Sequence, residues 1–357
     1  MRSCAGARLM ARLVVIDRIG GPEFVNELRS IWDAGNAAFP VDQRLPAAAK
    51  AALAVAMRVG DEVETGDALV VATSGSTGTP KGVVLTHDAI AASADATNAT
   101  LDVRADDHWL ACLPLSHVGG LSVVTRSLRA GTQLTVQAGF DASAVMASGA
   151  TLVSLVTTAL ARIDPAIFRT IVLGGGRPPK DRPSNSVTTY GMTETGSGVV
   201  YDGKPINGVD VRLTVDGEIL LRGPMLLRCY RDGTDPKTAE GWLPTGDFGK
   251  WLDNGRLHVA GRRSDLIITG GENVWPEAVE LILHAHPDVA DVLVRGVRDA
   301  EWGQRIEALV VPAKGAVPTL KTLRDHVKSA HPPFMAPTRL MLVDQIPRTA
   351  LGKPIRR

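Results

Sequence analysis

The chain has 357 residues, with 39 Lys and Arg against 38 Asp and Glu and a hydrophobic share of 45%. That length suits about two domains, and the mixture is that of a globular chain with a buried core, not a disordered or fibrous one. A formal charge of +1 and 4% aromatic residues exclude a global field for nucleic acid or anionic membrane, and any array of base-stacking rings. Cys4, Cys112 and Cys229 are too scattered for a disulfide framework or a zinc knuckle. The apolar run at 13–16 is too short for a signal-peptide core. No stretch approaches the roughly 20 apolar residues of a membrane span. A cytoplasmic chain without membrane insertion is expected.

Residues 9–60 predict a short strand and then Ala-rich helical pieces, with Pro40 and Pro46 as breakers. From residue 69 the rhythm changes. Strands are predicted at 69–73, 82–87, 109–113, 132–137, 150–156 and 169–176. Helices are predicted over 88–100, 120–130, 141–149 and 157–163. Short apolar strands alternating with helices of about ten residues indicate a parallel α/β sheet. After about 205 two hairpins are predicted, one turning at Asp216-Gly217 and one at Asn254-Gly255. A further helix, two strands and a helix follow from about 265. The predicted domains are 1–264, including a β subdomain at about 205–264, and 265–357.

The most informative segment runs from Thr73 through Ser74, Gly75, Ser76, Thr77 and Gly78 to Lys81, directly after an apolar strand. Hydroxyls, backbone N–H groups and a lysine converging on one loop suit a polyphosphate. The spacing is not that of a Walker loop, and Gly82 rather than Ser or Thr follows the lysine. This segment resembles the phosphate loop of the adenylate-forming superfamily: acyl- and aryl-CoA ligases, luciferases and adenylation domains. Other motifs of that superfamily follow in order. They are Pro114–Leu121, Gly174-Gly175-Gly176, Tyr190-Gly191-Met192-Thr193-Glu194-Thr195, Gly241–Asp247, Gly261-Arg262, Gly270-Gly271-Glu272-Asn273 and Pro347–Lys353. The resemblance covers residues 69–357. Residues 1–68 carry no match, so a member with a shortened front is expected, and a homodimer that covers the surface so exposed.

The resemblance implies a large N-terminal α/β domain with parallel sheets and a small antiparallel β subdomain, plus a small mobile α+β C-terminal domain. It implies ATP and Mg²⁺ as cofactors and CoA as co-substrate. The phosphate loop, Lys81, the glycines 174–176 and the Tyr190–Thr193 turn are assigned to ATP and AMP. Glu194 is assigned to Mg²⁺, a role that suits one hard carboxylate bridging phosphate oxygens. Asp247 and Arg262 are assigned to the ribose and phosphate. Lys353 is assigned to adenylation, its ammonium meeting the negative charge that gathers at the α-phosphate. Gly270, Gly271, Glu272 and Asn273 are assigned to the thioester step. Ser264 is the implied hinge, and its small side chain departs from the Asp or Lys of many relatives.

Three readings stand for His117: a structural residue, a group in direct proton chemistry, or a gate on the acyl pocket. Two stand for Arg126, a surface residue of an amphipathic helix or a cation facing that pocket. In the second case it would select an acid with a second carboxylate. Its place after the Pro114–Leu121 motif resembles the o-succinylbenzoate–CoA ligases, the branch serving menaquinone biosynthesis. Ser154 and Thr157 are the expected polar partners in the pocket. The implied reaction is carboxylate plus ATP to acyl-adenylate and pyrophosphate, then a thioester with CoA. Other aryl or acyl acids, loading of a carrier protein, and a nucleotide-binding scaffold without turnover remain as alternatives.

Overall fold

A computed structural model describes residues 10–73, 80–176, 179, 181–329, 331–348 and 355–356. The chain divides into two compact units, one of Met1–Val211 with Leu221–Leu243, the other of Arg212–Leu220 with Pro244–Arg357. The architecture is mixed α/β, as the sequence predicts. Among the described residues, no helix is long and apolar enough to cross a membrane.

A seven-stranded sheet organises the first unit. Its order is Lys204–Pro205, Gly198–Tyr201, Ser186–Gly191, Thr170–Leu173, Leu152–Leu155, His108–Ala111 and Gln133–Val136. From Ser186–Gly191 to Gln133–Val136 all neighbours are parallel. Buried parallel strands read as continuous apolar runs. His108–Ala111 and Leu152–Leu155 are accordingly buried along their whole length. Ligands of such sheets collect at the carboxyl ends of the strands. The segments leaving those ends carry His117, Thr157, Gly174 and Glu194.

A second sheet has the order Leu13–Ile16, Ala37–Pro40, Asp67–Thr73, Lys81–Thr86 and Cys229–Tyr230. Asp67–Thr73 and Lys81–Thr86 are antiparallel partners, with Thr73 opposite Lys81. Lys81 therefore stands on a strand, whereas the lysine of a Walker loop stands at the start of a helix. Two local expectations change. Ala37–Pro40 is a strand, with the expected breaker Pro40 as its last residue. The helix predicted over 157–163 is the single turn Thr157–Leu160. Pro165 biases the residue before it towards extended backbone, and Asp164 instead caps a short 3₁₀ turn by accepting from the Ala166 N–H at 2.9 Å.

The second unit holds the sheet Glu272–Val274, Ile267–Thr269, Gly303–Pro312 and Val289–Asp299, with Arg339–Leu342 parallel to Gly303–Pro312. Helices Pro276–His284 and Leu320–Lys328 contribute Val279, Leu283, Leu323 and Val327 to its core. The same unit takes in the hairpin Leu243–Trp251 and Leu257–Arg262. The expected boundary near 264 thus falls inside it. Phe248 lies 5.5 Å from the Trp275 ring, and a Cβ on Gly261 would lie 2.6 Å from Glu277 Oε2. Arg212–Leu220 belongs here because Thr245 Oγ1 donates to Ile219 O at 2.8 Å and the Gly246 N–H to Glu218 Oε1 at 3.0 Å.

One close approach sets the entrance to the site helix Val118–Ala130. A Cβ on Gly120 would meet Leu113 O at 2.4 Å and Pro114 O at 2.6 Å. Both neighbours are backbone and cannot rotate away. Gly120→Ala is expected to destabilise the fold by about 1–3 kcal/mol, the usual range for overpacking. Thermal denaturation measures it, and an unchanged Tm contradicts the packing described.

Candidate active site

At the phosphate end, Ser74, Gly75, Ser76, Thr77 and Gly78 lie outside the described residues. Their flanks are in place. Thr73 and Lys81 face each other across the hairpin mouth, and Lys81 Nζ lies 4.6 Å from the centroid of the Tyr230 ring. The Tyr230 hydroxyl donates to Glu194 Oε1 at 3.0 Å. Glu194 belongs to the 3₁₀ turn Thr193–Thr195. Buried Thr195 fixes that turn, its Oγ1 accepting from the Met192 N–H at 3.0 Å and lying 2.6 Å from Ser197 O. Gly191 is required where the chain folds back, since a Cβ there would meet Ser197 O at 2.2 Å. Tyr190 precedes it near the end of the strand Ser186–Gly191. Gly174, Gly175 and Gly176 leave the end of Thr170–Leu173, with Gly175 at φ 77°.

Arg126 is an interior residue, only 3% exposed. Its Nε donates to Ser122 O at 3.0 Å, and its Nη2 donates to Ser122 Oγ and Ser197 Oγ, each at 2.8 Å. Its guanidinium carbon lies 5.0 Å from the Trp109 ring centroid. Nη1 is buried with no hydrogen-bond partner among the described residues. Burial pushes the Arg126 pKa below the usual guanidinium value. The structure thus removes the surface reading of this residue. Ser154 is also buried, and its Oγ has no partner among the described residues. Thr157 opens the turn Thr157–Leu160.

His117 stands at the N-cap of Val118–Ala130, with its Nε2 3.7 Å from Asp42 Oδ2. Burial lowers the His117 pKa, Asp42 opposes that shift, and Arg44 adds to it. Arg44 in turn holds Asp42 at 2.6 Å. Asp42, Ser197 and Tyr230 escape the sequence reading, because each meets its partner only after the chain has folded back.

In the second unit, Asp247 and Arg262 are register partners across the hairpin, and Arg262 Nε donates to Asp247 Oδ1 at 2.8 Å. Gly270 and Gly271, at φ 58° and 87°, form the two-residue turn between Thr269 and Glu272. Two successive positive φ values explain the Gly-Gly pair. Glu272 and Asn273 follow on the exposed strand beside it. Ser264 lies in the 3₁₀ turn Arg263–Asp265, its Oγ 3.1 Å from Asp265 Oδ1.

Lys353 lies outside the described residues. The chain on either side of it is anchored. The Ile355 N–H donates to Pro347 O at 2.8 Å, and Arg348 pairs with Asp291 at 2.6 Å. Arg356 pairs with Glu277 at 2.9 Å and also with Glu280. Burial works against the Arg356 charge, but these carboxylates outweigh it and raise its pKa.

Residues 36–231 match the AMP-binding enzyme family, and residues 278–353 match the AMP-binding enzyme C-terminal domain. A Mycobacterium tuberculosis protein described as a probable 2-succinylbenzoate–CoA ligase is 39% identical over 327 residues, spanning 84% of this chain and 85% of its own length. A 2-succinylbenzoate–CoA ligase of Bacillus cereus is 36% identical over 331 residues, covering 81% of this chain and 68% of that protein. The solved o-succinylbenzoate CoA synthetase of Bacillus subtilis, in complex with its acyl-adenylate intermediate, aligns with a TM-score of 0.84 and 28% identity. That alignment covers 97% of this chain and 87% of the other. The motif series, the fold and these matches agree: the chain belongs to the AMP-binding, adenylate-forming enzymes.

Proposed function

We propose that this protein is an AMP-forming acid–CoA ligase whose acid is o-succinylbenzoate. The observation that carries the substrate reading is Arg126. A guanidinium that is buried with no carboxylate partner among the described residues, and with Nη1 unengaged by them, is costly to the protein alone. A second carboxylate on the substrate would supply the missing charge-assisted bonds. Buried Ser154 offers a hydroxyl to the same acid. The relatives named above support this choice of acid.

In the first half-reaction, a carboxylate oxygen of the acid attacks the α-phosphorus of ATP, and pyrophosphate leaves. No general base is needed, because the carboxylate is already a nucleophile. The loop from Thr73 to Lys81 cradles the phosphates, while Asp247 and Arg262 take the ribose hydroxyls. The glycines 174–176 and Tyr190 border the adenine. Lys353 stabilises the charge gathering on the reacting phosphate. A structure of the Bacillus subtilis synthetase holds ATP and a magnesium ion. Glu194 would hold such an ion here, since Mg²⁺ is usually bound by one or two carboxylates together with substrate phosphates and waters. When bound, the ion draws negative charge off the phosphates.

In the second half-reaction, the CoA thiol adds to the acyl carbonyl and AMP leaves, with the Gly270–Asn273 turn serving this step. Ser264 is proposed as the pivot between the two steps, since hinges are a few residues that absorb φ/ψ changes. A cytoplasmic setting follows from the demand for ATP and CoA.

Incubation with ATP, Mg²⁺, o-succinylbenzoate and CoA tests the reading. It predicts thioester, AMP and pyrophosphate in equal amounts. Adenylate without thioester favours carrier loading, and no pyrophosphate returns the protein to a binding scaffold. Arg126→Ala is expected to raise KM for o-succinylbenzoate with little effect on benzoate, because breaking one side of a buried charge pair costs about 2–5 kcal/mol. Unchanged kinetics with the dicarboxylate refute that role. Lys353→Ala should slow adenylation by about 100- to 1000-fold, while thioester formation from preformed adenylate suffers far less. Equal damage to both steps would remove Lys353 from the adenylation site.

A further inference from the structure

We propose that Tyr230 is a positioning residue that holds Glu194 and Lys81 apart and ready for Mg·ATP, a role that rests on the reading of Glu194 as the magnesium carboxylate. Its hydroxyl donates to Glu194 Oε1 at 3.0 Å, and its ring carries Lys81 Nζ at 4.6 Å from the centroid. One side chain thus engages both an anion and a cation expected at the triphosphate. Without such a spacer, opposite charges in one cleft attract each other. A direct Lys81–Glu194 pair would draw the ammonium off the phosphates and the carboxylate off the metal. The phenol gives each charge a neutral partner instead, a hydrogen bond to the carboxylate and a ring face to the ammonium.

The backbone around Tyr230 does not depend on its side chain. The strand Cys229–Tyr230 pairs with Val84 and Val83. The Arg228 N–H donates to Val84 O at 2.9 Å and the Arg231 N–H to Gly82 O at 2.6 Å. Arg228 adds an ion pair with Asp67 at 2.8 Å. The ring itself is only half-buried. Removal of the hydroxyl therefore leaves the fold in place and changes the freedom of Glu194. Side chains that orient a metal ligand commonly affect metal affinity by about 10- to 100-fold.

The experiment uses the full chain and the variants Tyr230→Phe, Tyr230→Leu and Glu194→Gln. Three quantities are read: the Mg²⁺ concentration for half-maximal pyrophosphate release, ATP binding by calorimetry with and without Mg²⁺, and Tm. Tyr230→Phe is expected to raise the Mg²⁺ requirement about 10-fold, with Mg²⁺-free ATP binding and Tm unchanged. Tyr230→Leu also loses the ring face, and should weaken Mg²⁺-free ATP binding by about 2- to 5-fold as Lys81 turns to Glu194. If Glu194→Gln shifts the Mg²⁺ requirement and Tyr230→Phe does not, the proposal is overturned while the magnesium reading stands. If Glu194→Gln has the wild-type requirement, the magnesium reading fails and the proposal falls with it.

Discussion

A guanidinium sealed inside the first unit, with no carboxylate partner among the described residues, is the constraint on which the site depends. Desolvating such a charge is expensive unless its donors are satisfied. Arg126 meets part of that demand with Ser122 on its own helix, Ser197 across the fold and the Trp109 ring. Ser197 follows directly after the turn that carries Glu194, and Thr195 Oγ1 lies 2.6 Å from Ser197 O. The stretch Glu194–Ser197 thereby supplies the proposed metal carboxylate, the turn's internal lock and a partner of the buried arginine.

Charge is handled differently at the phosphate end. There Glu194 and Lys81 both contact one neutral side chain, Tyr230. Lys81 leaves the hairpin opposite Thr73, so its ammonium comes from a strand and not from the start of a helix. The density of Ser, Thr and Gly at 73–79 suits anion binding by hydroxyls and backbone N–H groups.

Much of the fold was legible because local chemistry imposes it. The apolar runs at 69–73 and 150–156 are buried strands, and Asn254-Gly255 marks a hairpin that forms. Motif order also singled out Glu194, Asp247, Arg262 and Arg126 from the sequence. The partners of these residues were not legible. Ser197 lies 71 positions from Arg126, and Tyr230 lies 36 positions from Glu194. Neither belongs to a periodic pattern or a fixed spacing with its partner. The short strand Ala37–Pro40 escaped for a related reason, since its burial comes from neighbouring strands and not from its own alternation. Sequence chemistry names the charged groups of this site, and tertiary structure chooses what holds them.

The central claim is that Arg126 waits for a second carboxylate. A crystal structure of the full chain with the adenylate of o-succinylbenzoate tests it most directly. The account predicts the remaining free carboxylate within hydrogen-bond reach of Arg126 Nη1, at about 2.7–2.9 Å. A bound adenylate whose free carboxylate points elsewhere, with Nη1 still unengaged, would contradict it.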